Sequence, residues 1–347
     1  MRVRAISTGV VCACLAFGAA SPARAQFYDR HDLVSDGALP ADHVDSNLVN
    51  AWGLAASSSG PWWVSDNGSA FATIYDGNGN KIPLNVTVPG APTGMIFNAS
   101  GAGFKVNGSS AHFVFASEDG TISAWASGTA ATIVVDESTN GAVFKGLAMA
   151  HNGNADFIYA TNFHAGTVEV FDSDFTNVSK GFVDPALPAG YAPFGIQNIG
   201  GVIYVTYALQ DEQKHDDVRG EGHGFIDAFD PAGTLIRRVA SRGVLNSPWG
   251  LALAPADFGK FSGDLLVGNF GNGRIHAFRE DKPRGNGQLR QEGVLHGGDG
   301  KPLEIDGLWA LQFGNGKSAG PTTTLFFTAG PFDEQHGLFG RLTPARR

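Results

Sequence analysis

Three histidines, His164, His215 and His336, hold equivalent places in this chain although they are far apart in sequence. Each follows an apolar, β-branched run and precedes the next one, in the turn between two strands. Neutral imidazoles beside one or two carboxylates bind a divalent or redox metal such as zinc, copper or iron. A metal of that kind lowers the pKa of a bound water and turns it into a nucleophile, or holds dioxygen. Glu118 and Asp66 lie in the same class of turn and offer the oxygen ligands. Asn162, Asn269 and Asp306, together with Asp66 and Glu118, form a harder oxygen set that suits calcium. Asn162, Asp211, Asn269, Asp306 and Trp309 are also the candidates for holding a substrate. Asp and Asn favour turns for backbone reasons as well, and no local motif such as His-Glu-x-x-His fixes two ligands together.

Two further features belong to the same group of turns. Residues 208–224 form a long irregular connection containing Asp211, Lys214, His215, Asp216, Asp217 and Arg219, which reads as a lid over a site. Lys145 is a cation at the start of an apolar strand, where it binds an anionic group or pairs with a neighbouring carboxylate. Other chemistries are excluded. There is no Gly-x-Ser-x-Gly elbow and no phosphate-binding loop, so no nucleotide cofactor is expected. Both cysteines, Cys12 and Cys14, lie within the first 25 residues, which removes thiol chemistry and disulfides from the rest of the chain.

The elements that position these residues are strands. The 48 glycines without collagen periodicity, 25 phenylalanines and low charge describe many short strands joined by tight turns. One signature recurs six times: a turn residue, a bulky residue, glycine, then an apolar strand. Its glycines are Gly53, Gly94, Gly146, Gly195 and Gly250, with Ala310 in the sixth place, at spacings of 41, 52, 49, 55 and 60 residues. That period fits the four-stranded blade of a β-propeller, and the fold expected is an all-β, six-bladed propeller. The sixth unit ends after its third strand, while residues 27–34 form a strand with no blade of their own. Pairing that N-terminal strand with the last blade closes the ring. Trp52, Trp249 and Trp309 repeat at equivalent positions and read as packing between blades rather than as a ligand platform.

Residues 1–25 read as an export signal: Arg2 and Arg4, an apolar stretch, then Ala23-Arg24-Ala25 before cleavage at Gln26. About a dozen apolar residues are too few to span ~30 Å of hydrocarbon. Residues 26–347 form the single propeller domain, secreted or periplasmic and expected to be a monomer without a membrane span. The net charge of −9 grows more negative without Arg2, Arg4 and Arg24, which disfavours nucleic acid and anionic lipid.

Residues 191–198, 214–218, 246–255, 266–271 and 327–331 resemble a family of exported bacterial β-propeller proteins found with exosortase-type systems, over essentially all of the chain after residue 25. More distantly the repeats are similar to NHL-repeat and gluconolactonase-like propellers. The resemblance implies the fold and the compartment and brings no reaction with it; no sorting helix follows Leu342. Two functions are therefore expected in competition. One is a metal-dependent hydrolase or oxidase acting on a small organic substrate at the channel mouth. The other is a binding or scaffold propeller that recognises a protein or a cell-surface glycan.

Overall fold

The signature glycines sit where six inner strands converge on one axis. In the computed structural model, which describes residues 27–279 and 287–345, a Cβ on Gly53 would lie 2.4 Å from the Thr93 carbonyl oxygen. On Gly195 it would lie 2.2 Å from the Trp249 carbonyl, and on Gly250 2.4 Å from the Trp309 carbonyl. Each glycine thus faces the signature of the next blade, and backbone meets backbone around the ring. Residues 1–25, which the sequence reads as an export signal, and both cysteines lie outside the described residues.

Each signature is also a break in register. The inner strand slips against its neighbour between Ala51 and Leu54, Phe144 and Leu147, Pro193 and Ile196, Pro248 and Leu251, and Leu308 and Leu311. A bulge frees an amide from the ladder, and a threonine on the second strand accepts it. Gly146 N–H donates to Thr161 Oγ1 at 2.6 Å, Gly195 N–H to Thr206 Oγ1 at 2.8 Å, and Ala310 N–H to Thr328 Oγ1 at 3.1 Å. Thr161 then donates to the Phe194 carbonyl at 2.8 Å and Thr328 to the Trp52 carbonyl at 2.5 Å. These hydroxyls staple blade three to four and blade six to one.

The result is the expected six-bladed β-propeller. Inner strands are Ala51–Ala56, Pro92–Phe97, Phe144–Asn152, Tyr191–Ile199, Pro248–Leu253 and Leu308–Phe313. Blade six runs outward through Leu325–Ala329 and Leu338–Pro344 to the N-terminal strand Tyr28–Ser35, which pairs antiparallel with Leu338–Pro344. Closure by the N-terminal strand is therefore as the sequence predicts. Blade three differs: it has three strands, Phe144–Asn152, Ala155–Asn162 and Thr167–Phe171, with no fourth.

The apolar core follows the ring. Six clusters of buried side chains each fill one blade–blade interface, for example Leu54, Trp62, Val64, Phe326 and Phe339 between blades one and six. A seventh lies on the axis: Trp52, Phe163, Ala192, Phe194, Ala208, Phe270 and Trp309. Burial of this kind is the main stabilising term at roughly 25 cal/mol per Å² of apolar surface. Among the described residues no helix is long and apolar enough to cross a membrane.

Candidate functional site at the channel mouth

In this fold the turns entering a blade and the turns between its second and third strands share one face. The axial cluster closes the channel just beneath that face. Trp309 stacks on Trp52 with ring centres 3.7 Å apart and on Phe270 at 3.9 Å, and Trp249 meets Trp309 edge-on at 5.9 Å. The three tryptophans pack on one another across the axis, where the sequence reading has them between blades. Below them comes a ring of one aliphatic residue per blade, Leu54, Met95, Leu147, Ile196, Leu251 and Leu311, around a void of about 30 Å³.

Above the aromatic stack lies a chain of polar side chains drawn from five blades. Trp309 Nε1 donates to Asn50 Oδ1 at 3.0 Å. Asn50 Nδ2 donates to Glu334 at 2.8 Å and to Asn67 at 3.2 Å, and Asn67 Nδ2 donates to Glu118 Oε2 at 2.9 Å. Glu118 Oε1 accepts from Lys145 Nζ, which reaches Asp216 Oδ1 at 3.3 Å; the same oxygen faces His215 Nδ1 at 3.0 Å. Lys145 is 1% exposed and its ammonium also lies 5.1 Å from the Trp52 ring centre.

These contacts set the charges. Burial alone pulls Lys145 down, but Glu118 and Asp216 outweigh it and hold the ammonium above its ordinary value. Burial pushes Asp216 up, yet Lys145 and His215 together bring it below the usual carboxylate range. Glu334 is raised, first by burial and then by the nearby charge of Glu118, despite its bond from Asn50. Asp217, half-buried in the loop that follows, is raised chiefly by burial.

Residues 208–224 fold over this cluster. Asp211 Oδ1 accepts the His215 amide at 2.8 Å and the Asp216 amide at 3.3 Å, giving the loop its shape. Gln210 Nε2 ties it to the Phe163 carbonyl at 2.6 Å. Farther along, Arg219 lies over the Phe270 ring at 4.5 Å and reaches Asp333 of blade six at 3.3 Å. That last pair is exposed, so it holds the loop weakly.

Of the residues singled out in the sequence, the fold brings Glu118 and His215 together with Asp216. Ligand atoms of these three lie within 4.8 Å of one another, close enough to share a cation. Among the described residues no such group of three contains His164, His336 or Asp66. His336 turns outward, where its Nδ1 pairs with Asp36 at 2.7 Å. His164 lies beside Gly141, half-buried. Asp66 follows Ser65, whose hydroxyl faces Gly53; strand alternation therefore sends Asp66 into the blade, fully buried. The turn residues Asn162, Asn269 and Asp306 each make hydrogen bonds to the backbone. Asn162 Oδ1 accepts the Ala165 amide at 3.1 Å, Asn269 Nδ2 donates to the Val244 carbonyl at 2.7 Å, and Asp306 accepts the Phe332 amide at 2.8 Å.

The residue that sequence reasoning missed is Asn50, the hub joining Trp309, Glu334 and Asn67. Its signal is its place immediately before a signature, where it adopts a left-handed φ of 46°. Asn takes that conformation more readily than most residues.

No family model matches the chain. One uncharacterized protein of Acanthamoeba polyphaga mimivirus is 34% identical over 334 residues, covering 89% of this chain and 78% of that protein. A second from the same virus is 32% identical over 331 residues, covering 89% and 84%. Among solved structures the chain is similar to virginiamycin B lyase from Staphylococcus aureus, with 12% identity and a TM-score of 0.53 over 91% of this chain and 99% of the other. At that identity the likeness concerns the fold alone. The two viral proteins are close enough over enough length to show kinship, and the chain belongs to the family they represent.

Proposed function

We propose that the protein is an enzyme acting on a small polar organic molecule at the channel mouth, by proton transfer at His215, Asp216, Lys145 and Glu118. The observation that supports this is the burial of a charged Lys145 between two carboxylates directly above a closed aromatic stack. Burying such a charge costs several kcal/mol before pairing, and a well-packed apolar side chain would stabilise the fold at least as well. The arrangement also has a chemical logic. Asp216 on Nδ1 of His215 leaves Nε2 free to take a proton, and His215 is 46% exposed. The fixed ammonium of Lys145 opposes negative charge developing on the substrate. Access requires the Asp216-bearing loop to lift, since Lys145 is closed off beneath it.

The test is turnover in a mixture of small polar metabolites, followed by mass spectrometry, for the parent protein and for Lys145→Met and His215→Gln. Consumption of a compound by the parent, lost in both variants while their circular dichroism is retained, is the expected result. Equal turnover in all three overturns the assignment.

The closeness of Glu118, His215 and Asp216 favours a second reading, in which the same cluster holds a divalent or redox ion, with zinc or calcium as the first to try. An ion there competes with the Lys145 ammonium for the same oxygens. Lys145→Met is then expected to bind zinc or calcium more tightly by calorimetry, and Glu118→Gln to abolish the binding. No measurable heat with either the parent or Lys145→Met removes the metal from the mechanism. We further propose that residues 1–25 direct export to a secreted or periplasmic destination, which the intact mass of the released protein checks, with Gln26 expected as its first residue.

A further inference from the structure

The missing fourth strand of blade three leaves a cavity on the face opposite the mouth. The chain after Phe171 makes only a short attempt at pairing: Val178 N–H donates to the Val170 carbonyl at 2.8 Å, and Val170 N–H to Ser179 Oγ at 2.8 Å. It then leaves the sheet and drives Phe182 into the interface with blade four. Phe182 is 7% exposed and meets Tyr159 and Phe229 with ring centres 5.4 and 5.1 Å apart. Its N–H donates to the Gly233 carbonyl at 2.7 Å, and its φ is +55°. A bulky residue in that left-handed region is an outlier that the surroundings must enforce.

Between this segment and the turn at Pro231 and Ala232 of blade four lies a cavity of about 350 Å³. That is within the ~300–1,000 Å³ range of small-molecule sites. Its walls include Phe157, Val170, Val178 and Phe182. One wall is fixed in advance, because the Pro231 carbonyl accepts both Tyr159 Oη at 2.8 Å and Asn152 Nδ2 at 3.2 Å from blade three. Val178, at the rim, is 39% exposed, which is high for a large apolar side chain.

Two charged residues line the same cavity, Asp172 and Lys180. Asp172 Oδ1 is committed to the turn, accepting the amides of Asp174 at 3.0 Å and Thr176 at 2.9 Å. Lys180 is exposed and makes no ion pair with the described residues, in a chain with 33 acidic and 24 basic side chains. The cation on offer to a ligand is Lys180, beside two aromatic walls, while the Asp172 carboxylate is held in its turn.

We propose that this cavity binds a small planar organic anion, an aromatic carboxylate or sulfonate, with its ring between Phe157 and Phe182 and its acid group on Lys180. The site is independent of the channel mouth, since Asn152 and Asp172 lie at the opposite ends of strands that begin there.

A fluorescence titration with 1-anilinonaphthalene-8-sulfonate tests it on the full chain. One saturable site is expected. Lys180→Glu should weaken it at least tenfold, Lys180→Arg should retain it, and Val178→Trp, which fills the cavity, should abolish it. Lys105→Glu, an exposed charge reversal on blade two, should leave it unchanged. Because Lys180 is exposed, its reversal does not threaten folding, and it decides the matter even if Val178→Trp fails to fold. Absence of saturable binding, or an affinity unchanged by Lys180→Glu, overturns the proposal, as does equal loss in Lys105→Glu.

Discussion

At the scale of single residues, side-chain direction separates the sites that the sequence suggests from the one that forms. Knowing that a residue lies in a mouth-facing turn places it on the right face but not on the right side of its strand. Asp66 and Ser65 show the point: one step along the strand decides between the axis and the blade interior. Asp66 is the more informative for the solution behaviour of the protein. Burial holds its carboxyl well above the ordinary range, with Asp45 adding to the effect. Its protonated form is therefore favoured by folding. That stabilisation is complete below the unfolded value of about 3.9 and is lost as pH rises toward the raised folded value. The melting temperature is expected to rise as pH is lowered from about 8 to about 5. Asp66→Asn, which stays neutral throughout, should flatten this dependence; parallel pH curves for parent and variant would show that Asp66 titrates elsewhere.

At the scale of elements, the bulged inner strand is the repeating device. Its small residue, glycine in five blades and Ala310 in the sixth, is visible in the sequence as a six-fold period because a larger side chain would collide with the next blade. The threonine that accepts the released amide is visible only afterwards, since Thr161, Thr206 and Thr328 look like ordinary strand residues. Thr328 is the one that joins the last blade to the first. Replacing it with Val leaves the Ala310 amide and the Trp52 carbonyl without that partner, at a cost of about 2–3 kcal/mol. Urea denaturation should show the loss, with Thr328→Ser close to the parent; an unchanged midpoint for Thr328→Val would mean the staple carries no energy. Blade three marks the limit of what the period reveals. Residues 177–182, Asn-Val-Ser-Lys-Gly-Phe, carry little strand propensity, and Gly181 packs against Gly233 of blade four at a distance a Cβ would not permit.

At the scale of the whole molecule, the core is a ring of interfaces, so no blade is independent of its neighbours. The N-terminal strand is where the ring is made or broken. Tyr28 lies in the apolar cluster between blades five and six, its hydroxyl donating to the Phe258 carbonyl at 2.9 Å, and the strand covers the edge of Leu338–Pro344. Removing residues 27–34 exposes that edge and opens the cluster, and is expected to produce aggregation and a lower melting temperature. A truncated protein as soluble and heat-stable as the parent would show that the ring closes without it. This much was legible in the sequence, because a sixth unit lacking its outer strand and a spare strand at the other end imply each other. The convergence at the mouth was only partly legible, since it depends on which turns lean inward. The stacked rings of Trp52, Trp309 and Phe270 carry a different consequence. They make the axis a blind well, so for the reaction proposed at the mouth the substrate enters and the product leaves by one opening. Product inhibition is then competitive with substrate, and the ceiling on turnover is the frequency at which a single loop swings aside.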